Sequence, residues 1–216
     1  MLKIIIAGDT TFALELAKLS IKKGDSKVLL IIRDREKAIS VGSEINAIIV
    51  NGDATDTATL DELDLQNCDY FVAATESEKA NVLSALYAKN AGAKNIFIRV
   101  EKTEAEPLLR KLGFTPINPD VFAARYAELM TTRPAVADLV TPGVGEFDII
   151  ELPVKDTKIV GKKLGETHGE HFAAIATYYN GVYDFSKEKK IEPNEKIILL
   201  VSAGKEKEVT KELNKG

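Results

Sequence analysis

The chain has 216 residues, enough for one large domain or two small ones. With 45% apolar and 29% charged residues it can bury a sizeable core, which excludes a disordered chain. A net charge of −4 argues against general nucleic-acid binding, which leaves a basic footprint, and a single cysteine excludes an internal disulfide and a sulfur-ligated metal cluster. No apolar run approaches the roughly 20 residues of a membrane span. No leader is expected ahead of the first apolar run, so a soluble cytoplasmic protein is expected.

Residues 2–7 form a short apolar run with a β-branched centre. Gly8-Asp9-Thr10-Thr11 breaks it, and Phe12, Leu14, Leu16, Ala17 and Leu19 resume with mixed helical spacing. Strand, tight turn and helix in that order open a dinucleotide-type βαβ unit. The helix then aims its first amides at the strand's carboxyl end, where an anion can be held. A second strand at 28–32, a helix at 33–44 and a third strand at 47–50 follow, then the polar turn Asn51-Gly52-Asp53-Ala54-Thr55-Asp56. A short helix at 59–65, a fourth strand at 70–74, a long amphipathic helix at 76–91 and a fifth strand at 95–100 come next. A helix at 104–112 and a short strand at 113–117 complete the alternation. Near-continuous apolar strands alternating with helices imply a parallel sheet covered on both faces.

Residues 120–130 read as one more helix, with Asp120 as N-cap after Pro119 and an apolar stripe of Phe122, Tyr126 and Met130 left over once the sheet is complete. Such a stripe is expected to face a partner or another domain. The stretch 131–145, with Pro134, Pro142, Gly143 and Gly145, reads as a break. Beyond it come strands at 147–154, 172–179, 181–185 and 196–202, a turn into a short helix at 159–164, a turn at 192–195 and a closing helix at 205–213. The expected fold is α/β: a doubly wound parallel sheet over 1–133, a linker at 134–145 and a smaller α+β domain over 146–216.

The opening turn departs from the usual fingerprint. Only Gly8 of its glycines is kept, Thr10 adds a side chain where backbone should approach a pyrophosphate, and Asp9 brings a negative charge. At ~4 Å in a surface-like dielectric, that charge would oppose one phosphate charge by about 4 kcal/mol before screening. The acid that normally receives ribose hydroxyls at the end of the second strand is replaced by Ile32, followed by Arg33 and by Asp34, which is expected to start the next helix. A full dinucleotide is therefore expected to bind poorly.

Gly52-Asp53-Ala54-Thr55-Asp56 after the third strand, Ala73-Ala74-Thr75-Glu76-Ser77-Glu78 with Asn81 after the fourth, and Ile98-Arg99-Val100 on the fifth resemble the TrkA/KtrA-type regulatory proteins of potassium transport, built on RCK or KTN domains. Ile159-Val160-Gly161-Lys162-Lys163-Leu164 and Glu192-Pro193-Asn194-Glu195-Lys196 are similar to that family's C-terminal module. The resemblance runs through nearly the whole chain in the family's domain order. It implies a Rossmann-like cytosolic subunit with no catalytic role, peripheral to the inner face of the membrane. Such subunits pair into dimers and typically assemble as octameric rings under a membrane potassium channel or transporter subunit. It also implies an adenine nucleotide (AMP, ADP, ATP or NAD) as ligand. Carried over position by position, Gly8, Asp9, Thr10 and Thr11 line the phosphate turn, and Ile32 and Arg33 stand at the ribose edge. Asp53 and Ala54 lie at the adenine, Thr75 with Glu78 beside the phosphates, and Arg99 on the neighbouring strand end. Thr11 stands where the family has a phosphate-reaching arginine. Two versions follow: a smaller ligand such as AMP, or a degenerate subunit in hetero-assembly with a nucleotide-competent relative.

Several of these residues have plainer readings. Asp53 can cap the short helix after Thr55, and Thr75-Glu76-Ser77-Glu78 has the form of a capping box. Arg99 can pair with Asp53 or Glu76 instead of a phosphate. His168 and His171, with Glu166 and Glu170, have metal-like spacing but read better as a solvated loop. Cys68 reads as an inert small residue. The rival functions are an NAD(P)-dependent oxidoreductase and a free-standing small-ligand sensor. Against the first, the only Tyr-x-x-x-Lys spacing, Tyr183 with Lys187, lies far along the chain from the opening turn.

Overall fold

The structure is a computed structural model that describes residues 1–22, 24–141, 145–155 and 158–214. Pro142 and Gly143 of the expected break lie outside the described residues. The chain divides into two compact units, Met1–Ala123 and Ala124–Gly216.

The first unit is built on strands β1 (Leu2–Ala7), β2 (Ser26–Ile32), β3 (Ile48–Asn51), β4 (Tyr70–Ala73), β5 (Asn95–Arg99) and β6 (Thr115–Ile117). Between them run helices α1 (Thr11–Lys22), α2 (Arg35–Glu44), α3 (Thr57–Asp61), α4 (Glu78–Asn90) and α5 (Glu106–Lys111). The strands form one sheet in the order β3-β2-β1-β4-β5-β6, every pair parallel. This is a Rossmann-like doubly wound sheet whose order reverses between β1 and β4.

Strand side chains alternate faces with period two, and β1 divides accordingly. Ile5 and Ala7 join one core with Ile31, Phe71, Ile98, Leu60, Leu109 and the α4 alanines Ala85 and Ala88. Ile6 joins the other with Val28, Leu30, Ile32, Val72, Ala13 and Ala17 of α1, and Ala38 and Val41 of α2. Ala13 and Ala17, one turn apart, let α1 lie close against the sheet. With apolar cores on both faces, the central strands cannot slip by one residue without exchanging them.

Helix α6 (Pro119–Thr132) buries none of its residues, and Phe122 and Met130 are 64% and 52% exposed. The expected break after it is not continuous, because α7 (Pro134–Val140) begins immediately. Pro134 sits in the first turn, where its missing N–H removes no helical bond, and the amides of Val136 and Ala137 both donate to the Arg133 carbonyl. A proline that reads as a breaker here starts a helix. Helix α3 also sits earlier than its apolar spacing suggests, because Asp56 caps it through the Ala58 amide.

In the second unit, β7 (Phe147–Pro153), β8 (Phe172–Tyr179), β9 (Val182–Asp184) and β10 (Lys196–Ser202) form an antiparallel sheet in the order β7-β10-β8-β9. Asn180 and Gly181, with φ of 46° and 86°, make the two-residue turn between β8 and β9. Ile197, Leu199 and Val201 face a core shared with Val154, Ile159, Leu164 and Ile191, and with Val209 and Leu213 of α8 (Glu206–Leu213). No helix among the described residues is long and apolar enough to cross a membrane.

Phe71, fully buried at the centre of the larger core of the first unit, sets the scale of that packing. Phe71→Ala is expected to destabilise the fold by about 3–5 kcal/mol, read from urea denaturation, through lost burial and the cavity left behind.

Candidate functional site

Every residue singled out in the first unit lies at or after the carboxyl end of a parallel strand, the end where ligands bind in open α/β sheets. At the switch point, Gly8 has φ 125° and its amide donates to the Ile31 carbonyl at 2.9 Å. A Cβ there would stand 2.5 Å from the Ala74 oxygen and 2.7 Å from the Thr75 nitrogen. Both the backbone angle and the close approach require glycine.

Thr10 ties this turn to the far side of the switch point. Its hydroxyl donates to the Ala74 carbonyl at 2.8 Å and accepts from the Ala13 amide at 3.2 Å, while its carbonyl accepts from the Leu14 amide. Thr10 therefore caps α1, which leaves the amides of exposed Thr11 and of Phe12 as that helix's unpaired donors among the described residues. Asp9 does not act as a lone charge: Lys37 of α2 lies 2.9 Å from its carboxylate. That hydrogen bond, and then the charge of Asp9, raise the Lys37 pKa. The repulsion expected at the turn is thus partly offset by a cation from the next helix.

At the end of β2 the Ile32 side chain is buried in the core, and its carbonyl accepts from the Gly52 amide at 3.1 Å and Asn51 Nδ2 at 2.9 Å. Asp34 caps α2, accepting from the Lys37 amide at 2.8 Å. Arg33 extends into solvent with Nε 3.4 Å from Asp53. After β3, Asp53 accepts from the Thr55 amide at 2.8 Å and the Thr55 hydroxyl at 2.7 Å, closing a local turn, while Ala54 is buried. Asp56, not Asp53, caps the short helix. The Thr55 bonds, then Arg33, hold the Asp53 carboxyl below its usual value against an opposing push from burial. Because the folded value is the lower one, this stabilisation is complete above the ordinary carboxylate range. It fades as pH falls through the folded value.

The β4 and β5 ends are joined through one buried side chain, Asn81 of α4. Its Oδ1 accepts from the Thr75 amide at 2.8 Å and the Thr75 hydroxyl at 2.6 Å, and its Nδ2 donates to the Thr75 carbonyl at 3.1 Å and the Arg99 carbonyl at 3.0 Å. Thr75 is thereby held ahead of the helix, and the cap is Ser77, which accepts from the Ala80 amide. The expected box of Thr75 and Glu78 does not form. Glu78 instead accepts from the Glu101 amide at 3.1 Å. Arg99, mostly buried, donates to the Thr75 carbonyl at 3.2 Å and stands 3.5 Å from Glu101, so its carboxylate neighbour is neither Asp53 nor Glu76.

Lys37, Asn51, Asn81 and Glu101 contribute to this region without having been singled out as site residues. Only Asn81 carried a readable sign: with Ser84, Ala85 and Ala88 it occupies the buried i, i+3, i+4, i+7 face of α4, where an Asn needs partners. The Cys68 thiol donates to the Tyr70 carbonyl, and burial raises its pKa. Among the described residues no group of three or more His, Cys, Asp or Glu is placed to hold a metal.

Strand order, switch-point glycine and capped α1 define a Rossmann-like unit of the nucleotide-binding type, followed by a small antiparallel unit. Comparison with known proteins supplies a family. The TrkA-N domain model matches residues 4–118. A Trk system potassium uptake protein TrkA homolog of Methanothermobacter thermautotrophicus is 32% identical over 211 residues, covering 96% of this chain and 97% of its own length. The homolog of the same description from Archaeoglobus fulgidus is 30% identical over 184 residues, 82% of this chain but 42% of its own length, so this chain spans less than half of that relative. Among solved structures, the GsuK channel bound to NAD shares the fold at a TM-score of 0.53 and 18% identity, over 93% of this chain and 37% of that one. The chain belongs to the TrkA-N family.

Two substitutions test the local architecture. Asn81→Ala leaves the Thr75 amide and two carbonyls without their partner, and is expected to lower unfolding free energy by roughly 2–4 kcal/mol in urea titrations. Gly8→Ala, which must move the Ala74 backbone and hold a strained φ, is expected to lower it by about 3 kcal/mol or more. For comparison, Gly181→Ala meets nothing within 4 Å and carries only the φ penalty.

Proposed function

We propose that this chain is a cytosolic regulatory subunit of a potassium-transport system. It binds an adenine nucleotide at the carboxyl ends of β1–β5 and acts on a membrane channel or transporter subunit by assembling with copies of itself or a related subunit. One observation carries the reading: in a TrkA-N chain, the switch point is closed by a glycine that has no room for a side chain, beside a helix with two unpaired amides. Those features fit a phosphate, because a backbone cradle and a helix N-terminus stabilise anionic oxygens without a cation.

In this reading the phosphates lie over Gly8, Asp9, Thr10 and Thr11, with the Thr11 and Phe12 amides donating. The ribose lies at Ile32 and Arg33, and the adenine beside Asp53 and Ala54. Thr75 and Glu78 are already engaged within the protein, so they shape the wall on the β4 side, and Arg99 supplies positive charge there. Binding is the whole of the site's task, and no side chain is assigned to bond making or breaking. The name of the Methanothermobacter relative supports the potassium system, and the NAD-bound GsuK channel supports the ligand class. Helix α6, with Phe122, Tyr126 and Met130 on successive turns and no buried residue, supports assembly through a second copy.

Thermal shift with AMP, ADP, ATP, NAD and NADH tests the ligand. Saturating nucleotide near 100 times its Kd stabilises by about 2.7 kcal/mol, expected as a rise in Tm of roughly 5 °C or more. No shift with any of the five overturns the nucleotide assignment. Light scattering tests assembly: the chain is expected well above monomer mass, and Phe122→Glu, which buries an unpaired charge at a cost of several kcal/mol, is expected to dissociate it. An unchanged mass in that variant removes α6 from the interface.

A further inference from the structure

Resting on the nucleotide reading above, we propose that the site selects an adenine nucleotide with a phosphate on the ribose 2′ oxygen over the same nucleotide with a free 2′-hydroxyl, and that Arg33 makes the selection. A 2′-hydroxyl is ordinarily received by a carboxylate at the end of β2, and a 2′-phosphate by a nearby arginine. Here the carboxylate function is missing twice over. Ile32 occupies the strand end with its side chain in the core, and the following acid, Asp34, caps α2 by accepting from the Lys37 amide.

What projects from that strand end is Arg33, its side chain 84% exposed. Its backbone is fixed, since Asn51 Nδ2 bridges the Ile32 and Arg33 carbonyls at 2.9 and 3.0 Å. Among the described residues its only ion-pair contact is through Nε to Asp53 at 3.4 Å, which leaves the outer guanidinium nitrogens open for the paired hydrogen bonds a phosphate accepts. So exposed a pair contributes little and is readily exchanged. Asp53 does not depend on it, because the Thr55 amide and hydroxyl remain as its partners. Asp34 and Asp53 are opposing charges nearby, yet each already accepts from a backbone N–H. Lys37, in the first turn of α2, is a second cation of this region, paired with Asp9 of the β1 turn.

The test is calorimetric titration of the full chain with two matched pairs, NADPH against NADH and adenosine 2′,5′-bisphosphate against 5′-AMP. The phosphorylated member of each pair is expected to bind about tenfold tighter or more, with the ratio shrinking as salt is raised. Arg33→Ala, checked for an unchanged far-UV spectrum and melting profile, is expected to bring both ratios close to one, and Arg33→Lys to retain part of them. Equal affinities within each pair overturn this inference and leave the nucleotide reading standing. Tighter NADH that is lost in Asp53→Asn also overturns it, because Asp53 would then be reading the diol. A ratio that survives Arg33→Ala removes Arg33 from the selection; no binding of any of the four overturns this inference, and the nucleotide reading falls with it only where ADP and ATP also give no thermal shift.

Discussion

Between the ends of β1 and β4 there is no space for even one carbon. The Gly8 backbone passes so near Ala74 that a Cβ would stand 2.5 Å from a carbonyl oxygen, and the Thr10 hydroxyl fastens the same carbonyl from the other side. This approach places α1 at the switch point and aims its first amides across the strand ends. The two cores follow from the same geometry: with Ile5 and Ala7 facing one side and Ile6 the other, β1 is held in register by both. A side chain at position 8 would have to separate the two halves of the sheet.

The loops after β4 and β5 are held in a different way, by polar atoms that burial makes expensive to leave unpaired. Asn81 has both its carbonyl and its amide satisfied by backbone and hydroxyl groups of Thr75 and Arg99, joining two strand ends through a helix. The β2 and β3 ends are looser. Asn51 sews the Ile32 and Arg33 carbonyls together, but the side chains beyond them are joined by exposed pairs, Arg33 to Asp53 and Lys37 to Asp9. Rigid polar anchoring on one side of the switch point and exchangeable ion pairs on the other make the candidate site asymmetric. Its adaptable edge is the β2 edge.

The parallel sheet was legible because its strands are buried on both faces and its helices are amphipathic, so pattern alone separates them: 28–32 is apolar throughout, and Gly8 stands where a strand must turn into a helix. What stayed hidden depends on contacts between elements distant in sequence. Lys37 reads as one more surface lysine until α2 is laid beside the β1 turn. The spacing of Thr75 and Glu78 suits a capping box, but it cannot reveal that Asn81 holds Thr75 outside the helix and passes the cap to Ser77. Pro134 misleads for a local reason, since the same residue stops a helix from within and starts one from the first turn.

Helix α6 sets a thermodynamic condition of its own. Isolated helices of about 12–15 residues are marginal in water, and most helical stability in proteins comes from packing an apolar face. Helix α6 is 14 residues long, yet none of them is buried, and Phe122, Tyr126 and Met130 recur every fourth residue along it. Its partly exposed aromatic and thioether groups gain little from this chain's own cores, so burial of that face contributes little to holding the helix. The strand ends and α6 meet in one short stretch of sequence. β6 ends at Ile117 and α6 begins at Pro119, with only the buried Asn118 between them, its Nδ2 donating to the Glu101 carbonyl beyond β5 and its Oδ1 accepting from the Val121 amide. Through that asparagine, the loop that receives Arg99 and the first turn of the uncovered helix share a continuous set of hydrogen bonds.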